Sequence, residues 1–109
     1  MKNIFTICLL LLSVHVFPNT LDSSAHYFQK GIEEKTARRF LVAAGYFDKA
    51  IHFNSNYTEA YIENGFVNKE MRRTDAAMQN FMKAYGLDPN NEVVIKELME
   101  LNYYYRQFQ

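Results

Sequence analysis

Few side chains in this sequence are of the types that perform catalysis or bind metals. There are three histidines; His15 lies in an apolar N-terminal run, and His26 and His52 have no histidine or acidic partner at the spacing of metal ligands. Glu33 and Glu34 are adjacent and point to different helix faces, so they cannot form one acid–base pair. The sequence contains no glycine-rich phosphate loop, Gly-x-Ser-x-Gly motif or helical zinc motif. We therefore predict no enzymatic activity and no cofactor or metal.

Two arginine pairs, Arg38-Arg39 and Arg72-Arg73, are the other residues with chemical potential. They occupy equivalent places in two similar segments and fall at predicted turns between helices, so stacking would align four guanidinium groups along one edge. Such a ridge could bind an anionic partner through bidentate hydrogen bonds. The favoured interpretation is that these cations complement the dipoles of the preceding helices, a contribution of roughly 0.3–1 kcal/mol each.

The segment 1–20 differs in composition from the rest of the chain. Lys2 is followed by an apolar run from Ile4 to Phe17, interrupted by only three more polar residues. About 14 residues are too few to cross a hydrocarbon core of ~30 Å, but they suit the core of a signal peptide. We predict that residues 1–20 are a signal peptide, or a short signal anchor. No stable membrane span is then expected after cleavage.

The predicted location follows from this segment and from the cysteine content. Cys8 is the only cysteine and would be removed with the signal peptide, so the mature chain would have no disulfide. An exported protein without disulfides favours a bacterial envelope. We therefore predict a periplasmic or extracellular protein.

The remaining part of the chain, 21–109, has the composition of one folded domain. Nearly half of the 109 residues are hydrophobic, 16% are aromatic, and only four are glycine and two proline. The 12 Lys and Arg balance the 12 Asp and Glu. This neutrality argues against nucleic acid or an anionic membrane as partner, because both require a net basic surface.

The domain repeats with a period of about 34 residues, and a period of this length indicates an array of similar structural units. Segments 38–50 and 72–84 share six identical residues at equivalent places. Alanine and phenylalanine recur in them at three- and four-residue steps, which places these side chains on one helix face. Helices are predicted at 24–37, 41–54, 58–71, 74–87 and 92–105, with caps at Ser23 or Ser24, Thr58, Thr74 and Asn91.

A glycine lies inside the first helix of each predicted pair, at Gly31 and Gly65, and the two glycines are separated by the same period. A glycine within a helix costs about 1 kcal/mol relative to alanine, so a structural reason is expected. Close contact with the following helix would supply one.

The period and these residues resemble the tetratricopeptide repeat. The matching positions are Tyr27 and Tyr61, Gly31 and Gly65, Ala43 and Ala77, Phe47 and Phe81, Ala50 and Ala84, and Pro89. The resemblance divides the domain into repeat 24–57, repeat 58–91, and a partial third repeat or capping helix at 92–109. It implies an all-α, right-handed superhelical solenoid of antiparallel helix hairpins, with about two and a half repeats. Departures include Asn64 and Asn68, where leucine and tyrosine are usual, and Met99 in place of the glycine.

In that family, peptides dock on the concave surface formed by the first helix of each repeat. Mapping by the period assigns these residues to it: Phe28, Ile32, Lys35, Ile62, Phe66, Lys69, Lys96 and Tyr103. The four apolar residues would form a stripe across two helices, which is typical of a partner site, and the lysines would select the partner by charge. The subgroup that binds carboxylate tails of chaperones is not expected, because Ile32 and Glu63 depart from its pattern.

The sequence therefore predicts an exported, non-enzymatic module that binds a protein or peptide on its concave face. The alternative is a structural role in which these apolar positions are consumed by packing. The chain would then be the N-terminal part of a longer repeat array, or a unit that forms a homo-oligomer through 92–109. The final residues, NYYYRQFQ, are apolar for a free end of a repeat array.

Overall fold

The computed structural model of the protein describes the backbone of residues 20–108 and the side chains of residues 23–108. Five helices occupy this part of the chain: α1 (Thr20–Thr36), α2 (Phe40–Phe53), α3 (Thr58–Glu70), α4 (Thr74–Leu87) and α5 (Glu92–Gln107). The predicted all-α repeat solenoid is confirmed. Most of the predicted signal peptide, with Cys8 and His15, lies outside the described residues.

Each complete hairpin is held together by a phenylalanine that packs onto a glycine. A Cβ atom added to Gly31 would lie 2.5 Å from Cε1 of Phe47, and one added to Gly65 would lie 2.7 Å from Cζ of Phe81. Both rings are fully buried. The predicted close contact between the paired helices is therefore confirmed, because each ring occupies the space that the Cβ atom of any residue other than glycine would need.

The interior consists of two apolar clusters, and α3 contributes to both. The first cluster joins the hairpin α1–α2 to α3 and contains Ala43, Ala44, Phe47 and Val67. The second joins the hairpin α3–α4 to α5 and contains Tyr61, Ala77, Phe81, Ala84, Val94 and Leu101. The two helices of each hairpin thus pack on each other, and the hairpin also packs on the first helix that follows it.

Three of the five helices begin at the predicted residue, namely 58, 74 and 92, but the predicted cap residues are wrong at most positions. Asn91 caps α5 as predicted, since its side-chain oxygen accepts hydrogen bonds from two backbone N–H groups at 3.1 and 3.3 Å. Thr58 and Thr74 are instead the first helical residues. The residues before them, Tyr57 and Arg73, make no side-chain cap.

Two hydroxyl groups donate hydrogen bonds to backbone carbonyl oxygens, one between the helices of the first hairpin and one at the turn before α3. Ser24, predicted as a cap, lies inside α1, where its buried hydroxyl donates to the carbonyl oxygen of Ala50 at 3.2 Å. The hydroxyl of Tyr61 donates to the carbonyl oxygen of Ser55 at 2.9 Å. The repeat pattern predicts that α1 packs on α2, but it identifies neither hydrogen bond.

The turn within each hairpin is built on the first arginine of the pair. Arg38 and Arg72 have φ angles of 60° and 58°, in the left-handed region. The backbone N–H groups of Arg38 and Arg39 donate to the carbonyl oxygens of Lys35 and Glu34, both at 2.9 Å, and the second hairpin repeats the pattern. These bonds form a Schellman motif, which usually has glycine at the left-handed position.

We expect Gly65→Ala to lower the free energy of unfolding by about 1–3 kcal/mol, because the added methyl group overlaps the ring of Phe81. Gly45→Ala is the matched control. It lies inside α2 with no atom within 4 Å of the added Cβ, so helix propensity should raise stability by about 0.5–1 kcal/mol. Urea denaturation measures both, and equal stability of the two variants would contradict the packing described.

We expect Arg72→Gly to be more stable than Arg72→Ala by about 1 kcal/mol, because only the alanine keeps a Cβ in the left-handed conformation. Both variants lose the same charge, so the difference in their thermal unfolding isolates the backbone effect. A melting temperature for the alanine variant equal to or above that of the glycine variant would show that residue 72 is not strained.

Candidate functional site

The eight residues predicted for the concave surface all lie on the first helices of the hairpins and on α5. They differ in exposure: the four apolar residues are half-buried, whereas Lys96 and Tyr103 are exposed, Tyr103 to 67%. The structure does not test their binding role, which stays a prediction.

The predicted apolar stripe is the outer edge of the core. Phe28, Ile32, Ile62 and Phe66 pack against the two buried clusters. The ring of Phe66, for example, meets Phe81 edge to face, with the two ring centroids 5.3 Å apart. A partner would therefore contact the exposed part of each side chain, while the other part holds the helices together.

Two of the three predicted lysines are paired with glutamates on the next first helix. Nζ of Lys35 lies 2.5 Å from the carboxylate of Glu63, and Nζ of Lys69 lies 2.6 Å from Glu97 and 3.4 Å from Glu100. In both close pairs the glutamate follows the lysine by 28 residues. The same bond thus joins α1 to α3 and α3 to α5, and the charge of each lysine is offset within the chain.

The second pair is the more enclosed of the two. Glu97 is 8% exposed, and a carboxylate at such a position requires a charged or hydrogen-bonding partner. The hydrogen bond with Glu97 raises the pKa of Lys69, against the opposing effect of burial; the negative charges of Glu97 and Glu100 add to the increase. The pair therefore favours the charged lysine. The sequence carried a signal for it, since both the lysines and the glutamates recur at the period of the repeat.

Two buried asparagines were noted in the sequence only as departures from the repeat pattern. The side-chain amide of Asn64 donates to Oδ1 of Asp48 at 2.8 Å. The amide of Asn68 donates to the carbonyl oxygen of Asn64 at 2.8 Å and to its Oδ1 at 3.0 Å. Asn64 and Asn68 are 2% and 6% exposed. These bonds satisfy buried polar groups and join α3 to α2, which gives the asparagines a structural role.

The arginine pairs do not form a row of four free cations. Arg39 forms an ion pair with Glu34, and the hydrogen bond between them lowers the pKa of Glu34 and raises that of Arg39. The guanidinium carbon of Arg38 lies 5.4 Å from the centroid of the Phe40 ring. The first pair is thus engaged within its own hairpin, while the favoured interpretation, that the arginines complement the helix dipoles, stays a prediction.

Neither a metal centre nor a membrane span is found in the described part of the chain. Within residues 23–108, no group of three or more His, Cys, Asp or Glu side chains is placed to hold a metal ion. None of the helices among residues 20–108 combines the length and the hydrophobicity required to cross a membrane.

The chain has the fold of a tetratricopeptide-repeat domain, as predicted. Among solved structures, it is similar to the first tetratricopeptide-repeat domain of Spaghetti (RPAP3), bound to the HSP90 peptide SRMEEVD, with a TM-score of 0.73 and 20% sequence identity. The match covers 76% of this chain and 66% of the other. No protein-family model matches the sequence, and the search of curated proteins gave no match. The likeness establishes the fold, which unrelated binding functions can share.

We expect Glu97→Gln to lower the free energy of unfolding by about 0.5–1 kcal/mol at neutral pH, a value discounted because the Lys69 side chain is 40% exposed. The pair contributes while Lys69 is protonated, so its contribution should be complete below the ordinary lysine pKa of 10.5 and be lost as the pH rises through the raised value. Urea denaturation of both proteins across the alkaline range measures this.

Glu100→Gln is the matched control for that experiment. Its carboxylate lies 3.4 Å from the same ammonium group and is 51% exposed, so we expect a loss below about 0.3 kcal/mol. A larger effect at Glu100 than at Glu97 would show that the interhelical pair is not the stabilising contact.

Proposed function

We propose that this protein is an exported, non-enzymatic interaction module that binds a peptide segment or helix of another protein on the concave face of α1, α3 and α5. The observation that carries the proposal is the apolar stripe of Phe28, Ile32, Ile62 and Phe66, which is half-buried on adjacent helices. Apolar anchors from one face of a partner helix could bury the remaining area of these side chains. The likeness to a domain that was solved with a bound peptide supports the same function.

The charges around the stripe favour a partner that is not strongly acidic. Lys35 and Lys69 are paired with Glu63 and Glu97, so neither presents an uncompensated positive charge. Glu100 adds a further exposed carboxylate beside Lys69. An acidic peptide would have to displace these pairs, at a cost in desolvation and in like-charge repulsion.

Export is the second part of the proposal, and the apolar run of residues 4–17 supports it. N-terminal sequencing of the protein recovered from the expressing cells tests it. A new N-terminus near residues 18–26 is expected. An intact Met1 would contradict cleavage and favour the signal anchor.

We expect a library of random 12-residue peptides, displayed on phage, to yield ligands whose affinity depends on the stripe. Ile62→Thr keeps the branch at Cβ but makes the side chain polar. It should lower the affinity of the strongest synthetic peptide about tenfold, measured by fluorescence anisotropy, because a buried apolar contact is lost. Met82→Thr is the matched control, because Met82 is 59% exposed on α4 and lies outside the stripe.

The heptapeptide SRMEEVD is the second probe in this experiment. Because it is acidic, and because the lysines beside the stripe are already paired with glutamates, we expect it to show no measurable binding to this protein. Failure to select any peptide, or equal losses for Ile62→Thr and Met82→Thr, would refute binding at the stripe. Tight binding of SRMEEVD would refute the predicted charge preference and leave the stripe itself supported if Ile62→Thr weakens it.

A further inference from the structure

One face of α5 is covered by none of the described helices, unlike the equivalent faces of α1 and α3. In the complete hairpins this face is covered by α2 and by α4. On α5 the equivalent residues Ile95 and Met99 are 36% and 68% exposed, and Tyr103, one turn further on, is 67% exposed. Ile95, Met99 and Tyr103 follow one another at four-residue steps, so they form one exposed apolar strip, which is typical of an interaction site.

A third hairpin cannot repeat the glycine–phenylalanine contact of the first two on this face. At Gly31 and Gly65, an added Cβ would lie only 2.5–2.9 Å from the ring of the covering phenylalanine. Met99 is the next residue in this series, one full period after Gly65. A helix placed on α5 as α4 is placed on α3, with a phenylalanine at the position of Phe81, would therefore overlap the Met99 side chain. A helix that covers α5 must instead accommodate the Met99 side chain, so that side chains of both helices meet at the contact.

The exposed face of α5 has the spacing of such a side-chain contact. The steps between its residues fit a seven-residue period: Glu92, Ile95, Met99 and Arg106. Tyr103 lies on the same side of the helix. The charges at its two ends are opposite, because Glu92 lies in the first turn of α5 and Arg106 in the last. A face with opposite charges at its ends is complementary to itself when two copies run antiparallel.

We infer that this face binds the same face of a second copy of the chain, with the two α5 helices antiparallel about a two-fold axis at Met99. In that register Ile95 packs on Tyr103 of the partner subunit, and Glu92 meets Arg106 of the partner subunit. The two-fold axis repeats both contacts. A parallel pair in register would instead place like charges opposite each other at both ends.

The dimer should be weak and dependent on concentration. The 16 residues of α5 extend about 24 Å at 1.5 Å per residue, so one helix pair buries less area than the roughly 1,200–2,000 Å² of a stable complex. A dissociation constant on the order of micromolar is expected from an interface of this size. Sedimentation velocity of the full chain between about 1 and 300 µM spans this range. A monomer at every concentration would overturn the inference.

Met99→Glu tests the position of the axis, because it brings two carboxylates together there. We expect the dissociation constant to rise at least about thirtyfold. Leu41→Glu is the matched control: Leu41 is 62% exposed on α2, far from α5 in sequence, and its substitution should leave the constant unchanged. Equal effects of the two substitutions would overturn the assignment to α5.

A charge exchange tests the antiparallel register. Glu92→Arg and Arg106→Glu should each raise the dissociation constant about tenfold, because each replaces two attractive contacts by repulsive ones. The double variant should return it to within about threefold of the original value, with circular dichroism checking that α5 remains helical. No recovery in a helical double variant would overturn the register.

The dimer and the peptide site can be tested separately. Ile62→Thr should not change the dimer constant, and Met99→Glu should not change the affinity of a peptide selected on the stripe. Failure of either proposal therefore leaves the other standing. Tyr103 lies at the edge of both surfaces and is left unchanged in every variant.

Discussion

The contact between a phenylalanine ring and a bare glycine backbone sets the distance between paired helices, and most of the fold depends on it. Phe47 and Phe81 are fully buried against Gly31 and Gly65. Because the contact recurs once in each period of the sequence, two hairpins of similar geometry form, and each offers the next an equivalent surface on which to pack. Where methionine replaces the glycine, at Met99, the same contact between ring and glycine cannot form, and none of the described helices covers this apolar face of α5.

Charged and polar side chains then fix how the hairpins are aligned. The bonds from Lys35 to Glu63 and from Lys69 to Glu97 join successive first helices with the same spacing, so they define the register of one hairpin on the next. Partly exposed ion pairs contribute little to stability. They act mainly by disfavouring other registers of the helices, because a shift by one turn would leave an enclosed carboxylate without its lysine. The hydrogen bond from Asn64 to Asp48 makes a similar demand between α2 and α3.

The period of the sequence was sufficient to predict the helices, the close approach at the glycines and the repeat fold, because all of these depend on which residues share a helix face. The caps at Thr58 and Thr74 were wrong by one residue, because the preference of threonine for helix starts does not fix which residue is the first helical one. The period also assigned residues such as Phe66 to the inner face, but it does not predict how far each side chain is buried. That Phe66 rests on Phe81, and that Lys35 is already neutralised by Glu63, depends on how closely the helices stack.

The peptide stripe and the α5 face are each expected to bind weakly when they act alone. A stripe whose residues are half-buried offers a partner a limited apolar area, and a single pair of α5 helices holds two copies only loosely. A dimer joined at α5 would carry two stripes on one particle, so a partner with two recognised segments would bind the second at a high effective concentration. Binding of that partner would in turn favour the dimer, because the two equilibria are linked through the same particle. Two weak contacts would then select for partners that are themselves repeated or dimeric, and a monomeric partner would be bound only briefly.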